Sequence, residues 1–223
     1  MFLLASALSL GFLHGLGADH LMAIAALSVD GDRADRSPAS RRARALGVAI
    51  RFAAGHALLL GAGAGLIVVI GWSIPPHVER GGEMLGGALL IVMGLVTLQH
   101  FFAHRAVHRA PRTGDRAPGT EHPAPSPQHS HLPTMIGAAF AVSSLRALAM
   151  LTPFGAGLGT APLSVLLALI GVFAVGILVS MSLFGVALAG VLSTRALARV
   201  GQGAGALVGV SSVLLGVAWV VTA

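Results

Sequence analysis

The interval between Arg146 and Arg195 contains no Asp, Glu, Lys or Arg residue. An α-helix needs about 20 apolar residues to cross the hydrocarbon core of a bilayer, so this interval is long enough for two crossings. Similar apolar runs recur along the rest of the 223-residue chain, which is 55% hydrophobic and only 10% charged. Its mean hydropathy of +0.86 exceeds what a soluble domain of this size uses. The sequence therefore predicts an all-α integral membrane protein.

Hydropathy predicts six transmembrane helices, which form one membrane domain over residues 1–223. The predicted spans are residues 2–29, 45–70, 83–102, 133–154, 162–192 and 203–221. Residues 103–132 are rich in Pro, Arg and His, and we expect them to form a flexible cytoplasmic loop. Pairs of glycines in G-x-x-x-G spacing predict close helix packing, namely Gly11/Gly15, Gly61/Gly65, Gly82/Gly86 and Gly205/Gly209.

The arginines predict the orientation of the chain. They concentrate in the connections after the first, third and fifth predicted helices, which lie on one side if six helices alternate. The positive-inside rule makes that side the cytoplasm and leaves both termini external. We expect a multi-pass protein of the bacterial inner (plasma) membrane. Arginines in short connections meet anionic lipid, so the net charge of +6 does not indicate a nucleic-acid partner.

Four ionisable residues interrupt the first two apolar runs. His14, Asp19 and His20 lie in the first, within "FLHGLGADHLMAIAAL", and His56 lies in the second, within "RFAAGHALLL". An ionisable side chain near the bilayer centre costs at least ~2.5 kcal/mol, so such residues normally face protein or water and have a function. At 1.5 Å per residue, all four lie roughly 12–20 Å from the cytoplasmic ends of their helices. We therefore expect them to converge near the midplane.

Three imidazoles and a carboxylate, in a chain without cysteine, suit Ni²⁺, Co²⁺ or Zn²⁺ and do not suit Cu⁺. On a regular helix, however, His14, Asp19 and His20 point in three different directions. Two solutions stay open. The helix unwinds at Gly15 and Gly17, as in many transporters, or Asp19 orients a ligand histidine without binding the ion. The alternative without a ligand is a set of helix–helix hydrogen bonds.

The sequence offers further candidate residues for the same site. The position of Arg146 in the fourth predicted span also places it near the midplane, where it could balance the charge of Asp19 or pair with backbone carbonyls. His100, His104 and His108 recur every four residues, which predicts one face of a helix that continues the third span into the cytoplasm. These histidines could capture metal ions for the pore, or reflect composition bias alone.

The motif H-x4-D-H, formed by His14, Asp19 and His20, resembles the hallmark of the nickel/cobalt transporter superfamily. Gly55 and His56 are similar to the Gly-His pair in the following helix of that family. The resemblance implies a transporter of Ni²⁺ or Co²⁺, without enzymatic activity or a prosthetic group, in which these residues recognise the ion. The chain looks closest to a six-span branch with nickel/cobalt exporters and urease-accessory membrane proteins, so uptake and efflux both stay open. Metallochaperones and urease or hydrogenase maturation proteins are the implied partners.

Two other functions fit the positions of the histidines less well. A bis-histidine haem b subunit also places histidines on separate helices at similar depth, but Asp19 next to His20 suits a metal ion better than haem. An intramembrane metalloenzyme requires an open water position and a general base, and the sequence contains no H-E-x-x-H motif.

Overall fold

The computed structural model describes residues 2–28, 38–70, 74–109, 131–144, 162–192 and 195–222. Every element in these ranges is a helix, which confirms the all-α class. The described helices are α1 (Phe2–Gly15), α2 (Ala18–Ser28), α3 (Pro38–Ile70), α4 (Pro76–Arg109), α5 (Leu132–Ser143), α6 (Leu163–Leu192) and α7 (Arg195–Thr222).

Four segments are long and apolar enough to cross a membrane: Arg42–Ile67 in α3, Pro76–Ala103 in α4, Leu163–Gly190 in α6 and Gly205–Thr222 in α7. The helices α1 and α2 pass the same test together, as one span bent by 51° at a short break. These five segments match the first, second, third, fifth and sixth predicted spans and fit a membrane protein. The fourth predicted span begins with the short apolar helix α5, and residues 145–161 lie outside the described residues. The count of six therefore stays a prediction.

The helix α4 extends beyond its apolar part. It continues to Arg109, so the backbone at His104 and His108 is helical, as their spacing predicts. The predicted loop of residues 103–132 therefore has helical residues at its start, and α5 begins at its last position, Leu132. The remainder of that loop, residues 110–130, lies outside the described part of the chain.

Packing places α2 at the centre of the described helices. The other helices contact one another in the order α1, α6, α3, α5, α4 and α7, and α2 contacts α3, α4, α6 and α7. The short helix α2 buries both of its ionisable residues, Asp19 and His20, together with Ala23 and Ile24. Apolar side chains of α3, α5 and α6 complete the buried core around them. The polar motif of the first span therefore lies inside the bundle.

Glycines bring several helix backbones close together, because a Cβ atom there would overlap a neighbouring helix. At Gly11 that atom would overlap the carbonyl of Phe173 in α6, and at Gly82 the carbonyl of Val142 in α5. The G-x-x-x-G pairs that include these two glycines therefore do mark close approaches. The prediction is wrong for Gly61 and Gly65, where the nearest atoms would be 4.0 and 3.7 Å away, at ordinary contact distance.

Candidate metal centre

The first span is broken between its two groups of polar residues. At the end of α1, the amide of Leu16 donates to the carbonyl of Leu13 at 3.2 Å, and that of Gly17 donates to the carbonyl of His14 at 2.9 Å. Bonds to the third preceding residue tighten the last turn and end the α-helix. The carbonyl of Gly17 then accepts the first bond of α2, from the amide of Leu21 at 3.1 Å. The break lies at the glycines that the sequence singles out.

Glycine at position 17 leaves room for the polar pair that follows it. A Cβ atom on Gly17 would lie 2.6 Å from Asp19 Oδ1 and 2.8 Å from His20 Nδ1, well inside ordinary contact distance. The turn at the break and the position of the Asp19–His20 pair therefore depend on the same residue.

The break allows the histidines of one span to face a common point. His14 of α1, His20 of α2 and His56 of α3 each present one ring nitrogen, and these three nitrogens all lie within 4.8 Å of one another. The ring centroids are 5.0 Å apart for His14 and His20, 5.6 Å for His14 and His56, and 4.6 Å for His20 and His56. His20 and His56 are buried and His14 is half-buried. This confirms that the three histidines converge.

The separations of these nitrogens suit a small divalent ion. Metal–imidazole bonds of about 2.0–2.1 Å place two nitrogens of a tetrahedral site roughly 3.3–3.4 Å apart. His14 Nε2 and His56 Nε2 are already 3.4 Å apart. Since all three nitrogens lie within 4.8 Å, shifts on the order of 1 Å bring His20 onto the same ion. The cluster can therefore hold a metal ion with little rearrangement.

Asp19 contacts the outer nitrogen of His20. Asp19 Oδ1 lies 2.9 Å from His20 Nδ1, an ion-pair distance without the angle of a directed hydrogen bond, and both side chains are buried. A carboxylate at this distance favours the proton on Nδ1 and leaves the lone pair on Nε2 for a ligand. Asp19 Oδ2 has no hydrogen-bond partner among the described residues. The structure thus contains the helix break of the first alternative, and it places the Asp19 carboxylate next to His20, where the second alternative requires it.

His56 is oriented by a backbone carbonyl. Its Nδ1 lies 3.3 Å from the carbonyl oxygen of Gly137 in α5. A carbonyl only accepts hydrogen bonds, so Nδ1 carries the proton and the lone pair of Nε2 faces His14. This contact requires α3 and α5 to lie close together. A Cβ atom on Gly55 would overlap the carbonyl of Thr134, and one on Gly137 would overlap the carbonyl of Phe52.

Three buried phenylalanines lie next to the imidazoles and give them an apolar environment. Phe173 stacks on His14 at a centroid distance of 5.9 Å, Phe52 stacks on His56 at 6.2 Å, and Phe140 lies 6.2 Å from His20. Phe52 and Phe140 are 0% exposed and Phe173 is 4% exposed. The polar motifs of the sequence do not predict these three residues. Phe52 precedes His56 by one helical turn, which was a usable signal, whereas Phe140 and Phe173 belong to distant segments.

The remaining candidate residues either do not belong to the three-histidine cluster or lie outside the described residues. His100 is exposed on α4 and is not one of the three clustered histidines, and His104 and His108 follow on the same helix. Arg146 lies outside the described residues, and so does its predicted role in balancing the charge of Asp19. A residue that the sequence analysis missed is Ser144, whose Oγ lies 3.4 Å from His20 Nε2.

The cluster thus consists of three imidazoles from two apolar spans. The Nδ1 atoms of His20 and His56 lie 2.9 and 3.3 Å from an acceptor oxygen. Comparison of the chain with protein-family models, with curated proteins and with solved structures finds no match.

Proposed function

We propose that the chain is a membrane transporter for divalent transition-metal ions, Ni²⁺ and/or Co²⁺, and that the ion binds between His14, His20 and His56. The observation that carries this proposal is the convergence of three imidazole nitrogens at a break in an apolar span. Broken helices expose ion sites within the membrane in many transporters. A metal ion requires its ligand nitrogens to meet at one point, whereas helix–helix hydrogen bonds need only pairs of polar groups.

The chemistry of the site favours a dehydrated divalent cation. Neutral imidazoles replace the water ligands that the ion loses on entering an apolar environment, and Ni²⁺ and Co²⁺ accept nitrogen ligands readily. The carboxylate of Asp19 adds one negative charge next to His20 and so lowers the net positive charge of the loaded site. The surrounding phenylalanines strengthen this electrostatic interaction because they keep the local dielectric constant low.

The motif H-x4-D-H supports membership in the nickel/cobalt transporter superfamily, in its six-span branch. In this proposal the chain crosses the bacterial inner membrane six times, with both termini external and the arginine-rich connections in the cytoplasm. The segment that includes α5 then provides the fourth crossing. Metallochaperones or metalloenzyme maturation proteins exchange the ion with the cytoplasmic face.

The packing gives a bis-histidine haem less support. A haem requires the space of a porphyrin ring between its two axial histidines. Here the ring centroid of His20 lies 5.0 Å from that of His14 and 4.6 Å from that of His56. The phenylalanine rings occupy the surrounding space.

Transport of ⁶³Ni²⁺ by the purified protein in lipid vesicles tests the proposal. The wild type should move nickel, Co²⁺ should compete, and titration calorimetry should find one Ni²⁺ site per chain. His14→Ala, His20→Ala and Asp19→Asn should each abolish transport, and His56→Ala should reduce it at least tenfold. His77→Ala is the matched control, because it removes an exposed imidazole of α4 outside the cluster. If His14→Ala and His20→Ala bind and move nickel normally, the cluster is a structural hydrogen-bond network.

A further inference from the structure

We propose that Ser144 is a fourth metal ligand, whose hydroxyl oxygen completes an N₃O site with the three histidines. This inference rests on the proposed function and deepens it, because it defines the donor set that selects the ion. Ser144 follows the last residue of α5 and is 6% exposed. It therefore approaches the cluster from a helix that the polar motifs of the first two spans do not include.

The contacts of Ser144 place its oxygen lone pairs towards His20. Ser144 Oγ donates a hydrogen bond to the carbonyl of Phe140 at 3.2 Å, and it also lies 3.4 Å from His20 Nε2. A hydroxyl has one proton, so while that proton is donated to Phe140 only lone pairs face His20. The carboxylate oxygen of Asp19, 2.9 Å from His20 Nδ1, favours the tautomer with the proton on Nδ1, and in that tautomer Nε2 also presents a lone pair. Two acceptors that face each other across 3.4 Å are stabilised by a cation between them.

The distance itself fits such a cation. The separation of 3.4 Å between Ser144 Oγ and His20 Nε2 equals the separation between His14 Nε2 and His56 Nε2. Both match the edge of a tetrahedron around an ion with bonds of about 2.1 Å. The two edges belong to different residue pairs, so they involve four different side chains. A neutral, hard oxygen next to three nitrogens disfavours Cu⁺ and suits Ni²⁺, Co²⁺ and Zn²⁺.

Ser143 offers a matched control in the same turn. It is also buried, at 3% exposed, and its Oγ donates to the same carbonyl of Phe140, at 2.7 Å. Its side chain faces α4, because a Cβ atom on Gly86 would lie 2.5 Å from Ser143 Cβ. Substitutions at 143 and 144 therefore change the same local hydrogen bonding, but only Ser144 lies against His20.

Co²⁺ bound to the full-length purified protein tests the assignment, because the ligand set determines its visible spectrum. Ser144→Ala should weaken Co²⁺ binding about tenfold or more and change the d–d bands, while Ser143→Ala should leave both as in the wild type. Ser144→Cys should add a near-ultraviolet band from sulfur-to-cobalt charge transfer. The chain contains no cysteine, so such a band can arise only from the introduced thiolate. Ser143→Cys should show none.

The outcomes separate this inference from the proposed function. If the wild type does not bind Co²⁺, the proposed function fails and the inference fails with it. If the wild type binds Co²⁺ and Ser144→Ala keeps the same affinity and spectrum, the three-histidine site stands and Ser144 is not a ligand. Ser144→Ala removes only one atom, so it tests the inference even if the cysteine variant does not fold.

Discussion

Replacing Gly17 with alanine should disable the ion site without unfolding the bundle. The new methyl group would lie 2.6 Å from Asp19 Oδ1 and 2.8 Å from His20 Nδ1. Ordinary van der Waals contact begins near 3.5 Å, so the pair must move away by about 0.7–0.9 Å. A functional site tolerates displacements of only about 0.5 Å, so this movement should misplace His20 relative to His14 and His56.

The expected loss in Ni²⁺ affinity is roughly 10–100-fold, as is typical when the partner that orients a metal-binding histidine is disturbed. Titration calorimetry of the purified protein measures the affinity, and thermal unfolding followed by circular dichroism measures stability. Gly63→Ala in α3 is the control, since apart from the adjoining turns of its own helix nothing lies within 4 Å of the added methyl group. It should leave the affinity unchanged and stabilise its helix by about 0.5–1 kcal/mol. Nickel binding by Gly17→Ala at wild-type strength would refute the link between the helix break and the site.

Three further predictions concern the frame around the site. Gly55→Ala should lower the free energy of unfolding by about 1–3 kcal/mol, because its methyl group overlaps the carbonyl of Thr134 and pushes α3 away from α5. Thermal unfolding of this variant and of Gly63→Ala measures the difference. Equal stability of the two variants would contradict the close packing of α3 on α5. Nickel transport should continue when the histidines of the segment after the third span are changed to alanine, because a Pro-rich segment lacks the fixed geometry that a selective site requires. Complete loss in correctly inserted protein would show that the segment is required; these residues are His104, His108, His122, His129 and His131. Reporter fusions at residues 38, 118 and 197 should all give cytoplasmic signals, and one external signal would exclude the six-span arrangement.

Local features of the sequence predicted much of the fold. The apolar runs located the four helices that are long enough to cross a membrane and the bent pair α1–α2, because hydropathy is a property of consecutive residues. Counting 1.5 Å of helical rise per residue predicted that His14, His20 and His56 lie at a similar depth, and the structure brings these three residues together. Gly15 and Gly17 marked the break, because the spacing of the polar residues did not fit a regular helix.

The sequence could not predict which helices face the site from the other side. The positions of Phe140, Ser144 and Phe173 depend on how α5 and α6 pack against the first two spans, and no local periodicity encodes that pairing. The spacing of glycines predicted only some of the close contacts between helices. Gly55 and Gly137 each make a close approach outside a G-x-x-x-G pair, whereas Gly61 and Gly65 have the spacing without the approach.

The break in the first span lies close to His14 and far from the other end of α1. His14 lies three residues from Gly17, so its imidazole is roughly 6 Å from the point of bending, whereas the other end of the helix, at Phe2, is about 20 Å away. A rotation of α1 about this point by roughly 10° would move the imidazole of His14 by about 1 Å. The same rotation would displace Phe2 by about 3–4 Å along α6, on which α1 packs. The geometry of the break thus makes any movement of His14 about three times larger at the start of α1.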